Sequence, residues 1–199
     1  MKRNIFVIAT ALLGASLGAF AQSTTNTPQT VQRDVNQDRR IETGLKSGSL
    51  TTGEAARLER DQSQIDRLQA KALNDGKLSP AEREQLAAAQ NRASHHINAA
   101  EHNGATGNPA SASSQRMQAD VQRNLNQDQR IEAGVQNGSL TNREVAATER
   151  GQARVAHKEF EAGRDGHVGA AEQRRIQHAE NRKSREIHQQ KHDGQERPS

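Results

Sequence analysis

Histidine carries the most evident chemistry in this chain. His188 and His192 stand four residues apart, one turn if the segment is helical, and offer two imidazole nitrogens to one divalent ion. Glu186 or Asp193 lies close enough in sequence to add an oxygen. His95 and His102, with His96 between them, form a second group earlier in the chain. Of these, only His102 and His192 occupy matching places in the duplicated sequence described below. Neutral imidazoles of this kind suit weak zinc or copper binding. No cysteine or methionine cluster supports a soft-metal site, and no other cofactor is expected.

Amides and arginines form the other candidate site. Asn36, Gln37 and Arg40 around Asp38 recur as Asn126, Gln127 and Arg130 around Asp128. Asn91 and Arg92 recur as Asn181 and Arg182. Such a set either lines a ligand groove or ties neighbouring helices into register where apolar residues are few, and the second reading is preferred. Asp75-Gly76-Lys77-Leu78-Ser79 through Glu82 imitates the second half of a calcium loop. However, Lys71 and Leu73 stand where the first oxygen ligands belong, and Glu161 and Gly163 do so in the second copy. Helix capping accounts for the same residues. The chain has no thiol, no G-x-S-x-G elbow, no H-E-x-x-H and no phosphate-binding glycine loop, so catalysis is not expected.

These residues are positioned by a sequence written twice. Residues 31–104 realign with 121–194 at a constant offset of 90, the mark of a duplicated unit. Turn signals recur at fixed places within it. Gly48 stands where a left-handed residue closes one helix, and Thr51 with Glu54 forms a capping box for the next. Gly76, Ser79 and Glu82 repeat the device, with Pro80 at the first helical position. Gly138, Thr141 and Glu144 repeat it again, and Gly166, Gly169 and Glu172 do so without a hydroxyl cap. Helices are predicted over 31–47, 52–74, 80–102, 116–137, 142–164 and 170–192. Leu86, Gln90, Ala93, Ile97 and Ala100 follow a 4-3-4-3 seam, and Leu58, Ile65 and Ala72 are sevens apart. Gln62 and Gln69 join those seams.

The expected fold is all-α: two tandem repeats, each an antiparallel three-helix hairpin or bundle, behind a signal peptide. The divisions are a signal peptide at 1–21, a polar lead-in at 22–30, repeat one at 31–103, a flexible linker at 104–115, repeat two at 116–193 and a polar tail at 194–199. Each repeat has only about a dozen large apolar residues, too few to offset comfortably the ~1–2 kcal/mol per residue of backbone ordering. The repeats are therefore expected to contact each other or a second chain.

Lys2 and Arg3, the apolar run from Ile5 to Leu17 and the Ala19-Phe20-Ala21 site make a secretory signal, with cleavage after Ala21. The apolar run falls short of the ~20 residues of a membrane span, and without cysteine no thiol can carry a lipid anchor. A periplasmic or secreted protein is expected. The formal charge is +4, of which Lys2 and Arg3 carry two, so the mature chain retains +2. Phe160 is the only aromatic left after cleavage. A nucleic-acid surface, which needs clustered cations and stacking platforms, is not expected.

The run N-Q-x-x-R-I-x-x-G, then G-x-L-T-x-x-E, D-G-x-L-[ST]-x-x-E and N-R-x-S-x-x-I resembles a group of small exported proteobacterial helical-repeat proteins of unassigned function. More distantly, Leu50-Thr51-x-x-Glu54 and Leu140-Thr141-x-x-Glu144 resemble the L-T-x-x-Q motif of periplasmic helical stress proteins of the Spy and CpxP type, with Glu in place of Gln. The second resemblance implies α-hairpin dimers with chaperone-like action. The expected function is binding, as an accessory or envelope-stress protein whose partners are other envelope proteins or itself. The alternatives are divalent metal binding through the helix histidines and a self-associating helical spacer.

Overall fold

The turn glycines and hydroxyl caps divide the chain into rods. The computed structural model describes residues 27–195, so the leader read at 1–21 and the end of the tail lie outside the described residues. Among these residues there are six helices and no strand: α1 Thr27–Ser47, α2 Thr52–Ala72, α3 Pro80–Glu101, α4 Ala112–Gln136, α5 Asn142–Gly163 and α6 Ala170–Gln190. Gly48, Gly76, Gly138 and Gly166 take φ of 82°, 87°, 81° and 87°, a region that strains any residue with a Cβ. Thr51, Ser79 and Thr141 each accept from the N–H of the Glu three positions on, and that Glu takes the cap residue's own N–H. Gly169 has no hydroxyl, but its N–H still donates to Glu172 at 2.8 Å.

Two of the expected boundaries are corrected. Thr27 to Thr30, inside the stretch read as a polar lead-in, already belong to α1, where Thr30 donates its hydroxyl to the Thr27 carbonyl. α4 begins at Ala112, inside the segment read as a flexible linker, with Ser111 accepting from the Ser114 N–H at 3.1 Å. The rest of that segment is also held. Gly107 donates to the Gly48 carbonyl at 2.8 Å, and a Cβ on Gly107 would run into the Leu50 carbonyl oxygen.

The helices do not close as two separate three-helix bundles. The most extensive packing is α2 on α5, followed by α1 on α4, while α3 and α6 flank this central group of four. Both central pairs are antiparallel. Gly53 lies against Gly166 at one end of the α2–α5 pair, and Asn142 donates to the Gly76 carbonyl at the other. Between them Ser63 donates to the Ala153 carbonyl at 2.8 Å. The side chains along this contact are small (Ala56, Ser63 and Ala70 facing Ala146, Ala153 and Gly163), which lets two helix axes approach closely. The physical reason is the thin apolar seam: a single copy has too little hydrocarbon to enclose itself, so each seam is covered by the other copy.

This pairing yields two apolar clusters, one at each end. The first gathers Ile41, Leu45, Leu50, Leu58 and Ile97 with Met117, Val121, Val155 and Ile176. The second gathers Val31 and Leu73 with Ile131, Val135, Leu140, Val145 and Ile187. Gly44 and Gly134 seat the leucines of the next turn: a Cβ at either would stand 2.6 Å from a Leu50 or Leu140 methyl carbon. No helix among the described residues is long and apolar enough to cross a membrane.

Candidate functional site

Between the two apolar clusters the seam changes character. Glu59, Gln62, Asp66 and Gln69 occupy the buried stripe of α2 at helical spacing. Asp34, Gln37 and Asp38 do so on α1, Asn124, Gln127 and Asp128 on α4, and Glu149, Gln152 and Glu159 on α5. Packing α1 on α4 and α2 on α5 drives these side chains into a common polar waist. Among the buried polar residues described, Lys183 of α6 is the one cation. It donates to the Thr148 carbonyl, and a Cβ on Gly151 would collide with its stem.

Carboxyls in this waist meet one another as well as amides. Asp38 faces Asp128, its counterpart 90 residues on, and Glu59 faces Glu159. Gln152 donates to Asp128 at 2.6 Å, Asn124 to Glu159 at 2.6 Å, and Gln90 to Asp34 at 2.7 Å. Burial disfavours the ionised form of each acid. It pushes Asp34 up to about 8, against the pull of the Gln90 hydrogen bond. Burial and then the Glu180 charge push Asp120 up to about 8. Glu59 and Glu180 rise to about 7 through burial, the latter despite Arg123 at 3.0 Å. Asp38, Asp66, Glu149 and Glu159 stand well above the usual carboxylate range, from burial first and neighbouring acids second. Burial brings Lys183 down to about 8. These acids and amides join the two halves of the fold, and burial favours the protonated form of the acids.

The amide and arginine set resolves into inner and outer members. Gln37 is buried and donates to the Gln90 carbonyl at 2.7 Å and to Ser94 at 2.8 Å; Gln127 reaches toward the Glu180 carbonyl at 3.5 Å. Arg33 donates to Asn91 at 2.6 Å, and Arg123 to Asn181. Arg40 pairs with Glu101 at 2.6 Å, while Arg130 donates to the Ser184 hydroxyl at 2.7 Å. These bonds fasten α3 to α1 and α6 to α4. Asn36, Asn126, Arg92 and Arg182 lie on the exposed side, outside that fastening. Arg130, Asn181 and His188 share one shallow surface groove between α4 and α6.

The histidines stand on the surface. The His188 and His192 rings lie 4.3 Å apart, with His192 Nδ1 at 2.7 Å from the His188 carbonyl oxygen. His95 is exposed on α3, and His102 closes that helix with Nδ1 at 2.8 Å from the Asn98 carbonyl oxygen. Among the described residues no three His, Asp or Glu side chains are grouped as a metal site.

Sequence reasoning missed the carboxylates of the waist. A signal was present: Asp38 and Asp128, and likewise Glu59 and Glu149, are acids at equivalent positions of the two copies. Glu59, Gln62, Asp66 and Gln69 also keep the seam's 3-4-3 spacing. Compared with protein-family models, with curated proteins and with solved structures, the chain matches none.

Proposed function

We propose that the chain is an exported protein of two tandem helical repeats, released by cleavage after Ala21, which acts by binding other envelope proteins in a chaperone-like manner. One observation carries this reading. Each apolar cluster is built from both sequence copies, so parting the copies uncovers two apolar faces that a misfolded or partnerless protein can occupy. The acid-lined waist makes the closure weaker than a hydrocarbon contact of the same size, because unsatisfied buried polar groups oppose it. In this reading the paired form stores the binding surface and the parted form presents it, without catalysis and without nucleic acid.

The test exploits the absence of cysteine. Ser63→Cys with Ala153→Cys places a thiol on each helix where α2 and α5 touch. Oxidised, this variant should lose the ability to suppress aggregation of an unfolding client, and reduction should restore it. If the wild-type chain neither suppresses aggregation nor retains an envelope protein on co-purification, the reading fails. The paired rings of His188 and His192 support the second reading, weak zinc or copper binding on the α6 surface.

A further inference from the structure

The duplication provides an internal comparison for the shallow groove between α4 and α6. In the first copy the matching arginine is satisfied from within the chain. Arg40 Nη2 meets Glu101 Oε2 at 2.6 Å and so ties α1 to α3. In the second copy Arg130 keeps the arginine, but the glutamate has become Lys191. Lys191 donates to the Arg130 carbonyl at 3.2 Å, and the Arg130 guanidinium donates to the Ser184 hydroxyl at 2.7 Å and carbonyl at 3.2 Å. Those acceptors are neutral, so Arg130 lacks the charged partner that makes such a hydrogen bond strong.

Two further differences fall on the same face. His95 becomes Arg185 and Asn98 becomes His188, and with the change from Glu101 to Lys191 they are spaced by threes, as neighbours on one helix face are. With histidine counted neutral, the face gains two positive charges from the glutamate-to-lysine change and one from histidine to arginine. Arg130, Asn181, Ser184, Arg185, His188 and Gln189 line the groove, an open space of about 550 Å³ with no acid in its wall. Neighbouring acids of α6 are engaged elsewhere, Glu180 with Arg123 at 3.0 Å and Glu186 with Lys183 at 3.8 Å. Arg185 is exposed and has no hydrogen bond or ion pair among the described residues.

We propose that this groove binds a carboxylate from outside the chain, seated against Arg130 and Arg185 where the first copy seats its own Glu101. Arg130 exchanges the neutral Ser184 oxygens for the charged ones, Arg185 brings a second guanidinium, and Lys191 adds positive charge beside them. A free di- or tricarboxylic acid and the acidic side chains of a peptide offer this same chemistry.

The experiment titrates the full mature chain with a blocked penta-glutamate peptide, its penta-glutamine counterpart, citrate and inorganic phosphate. Low salt is used, because screening weakens exposed ion pairs. Calorimetry gives the stoichiometry, and NMR of the arginine Nε–H groups gives the place. Expected are one penta-glutamate or one citrate per chain, in competition, with shifts at Arg130 and Arg185 and no binding of penta-glutamine. Tighter binding of the peptide marks a protein source and tighter binding of citrate a free acid, and either result supports the site. Arg185→Gln, which breaks no bond of the fold, should weaken binding about tenfold, whereas Arg182→Gln on the exposed side should leave it unchanged. Lys191→Glu, which restores the pair of the first copy, should abolish binding. His95→Arg with Asn98→His and Glu101→Lys should open the twin groove and raise the stoichiometry to two. The proposal is overturned if neither carboxylate binds, if phosphate binds more tightly than both, if Arg182→Gln weakens binding as much as Arg185→Gln, if binding survives Lys191→Glu, or if the triple variant still takes one ligand.

Discussion

Replacing Asp34 by asparagine should stabilise this protein, and by more as the pH rises. Asp34 is 4% exposed; Oδ1 accepts from Gln90 at 2.7 Å and Oδ2 has no partner. Its pKa stands at about 8 instead of 3.8. A folded-state pKa above the unfolded one means that folding takes up a proton. The stabilisation this gives is complete below pH ~4 and is lost as pH rises toward 8. At ~1.4 kcal/mol per pH unit, about three units between pH 4 and pH 7 remove roughly 4 kcal/mol, a large part of a typical total of ~5–15 kcal/mol. Asparagine keeps the shape and the Gln90 bond without needing the proton, and the second copy already carries Asn124 at the matching place. In chelator-containing buffer, Asp34→Asn should change stability by less than ~1 kcal/mol near pH 4. Near pH 7.5 it should raise stability by a few kcal/mol, or about 6–16 °C in melting midpoint at this chain length. Thermal and urea denaturation followed by far-UV circular dichroism across that range gives the answer. A destabilised variant at pH 7.5, or an effect that does not vary with pH, would refute the reasoning.

Four other outcomes follow from the fold and the sequence. Gly48→Val and Gly138→Val should each cost ~1 kcal/mol or more for their positive φ; Gly48→Val should cost more, since its Cβ meets the Gly107 carbonyl oxygen at 3.1 Å while Gly138 faces open space. Equal melting of the two variants would show that the connector contact is unimportant. A fragment of residues 22–103, deprived of its half of each apolar cluster, should melt below the full chain or only as a concentration-dependent dimer, and a fragment that melts like the full chain contradicts the packing. His188→Ala with His192→Ala should remove calorimetric zinc or copper binding; binding that persists places the ions elsewhere. N-terminal sequencing of the exported protein should begin at Gln22, and a Met1 terminus would reject the cleavage site.

Features decided within a few residues were legible in the sequence. The caps at Thr51, Ser79 and Thr141 depend on a Glu three positions away, and the closing glycines depend on one backbone angle. Helix ends read from these signals fall within a few residues of the observed ones; α4 starts about one turn early, and α1 already includes Thr27 to Thr30, because these turns are polar. The choice of partner helix was not legible. It depends on Glu59, Asp66 and Asp128 being inside, and a hydropathy reading places acids outside. Gly44 and Gly134 were visible as shared letters, yet their reason, room for a leucine from the next turn, exists only once the turn is folded. The polar letters Asn36-Gln37-Asp38 were read as one set, and the helix separates them: Asn36 faces outward, Gln37 and Asp38 inward.

The antiparallel pairing that sets Asp38 against Asp128 and Ser63 against Ala153 has a consequence for how the halves can diverge and meet. In a dimer of identical chains, a residue on the two-fold axis confronts its own copy, so every change there is made twice. A single chain escapes this restriction, and it has done so at the contact: a hydroxyl at position 63 opposes a methyl group at 153, and Asp66 has Ala156 as its counterpart. The connection also fixes the encounter. Tethered through the short segment between α3 and α4, the halves see each other at an effective concentration on the order of millimolar, whatever the dilution of the chain. A contact weakened by its buried acids can therefore close more readily within one chain than between two.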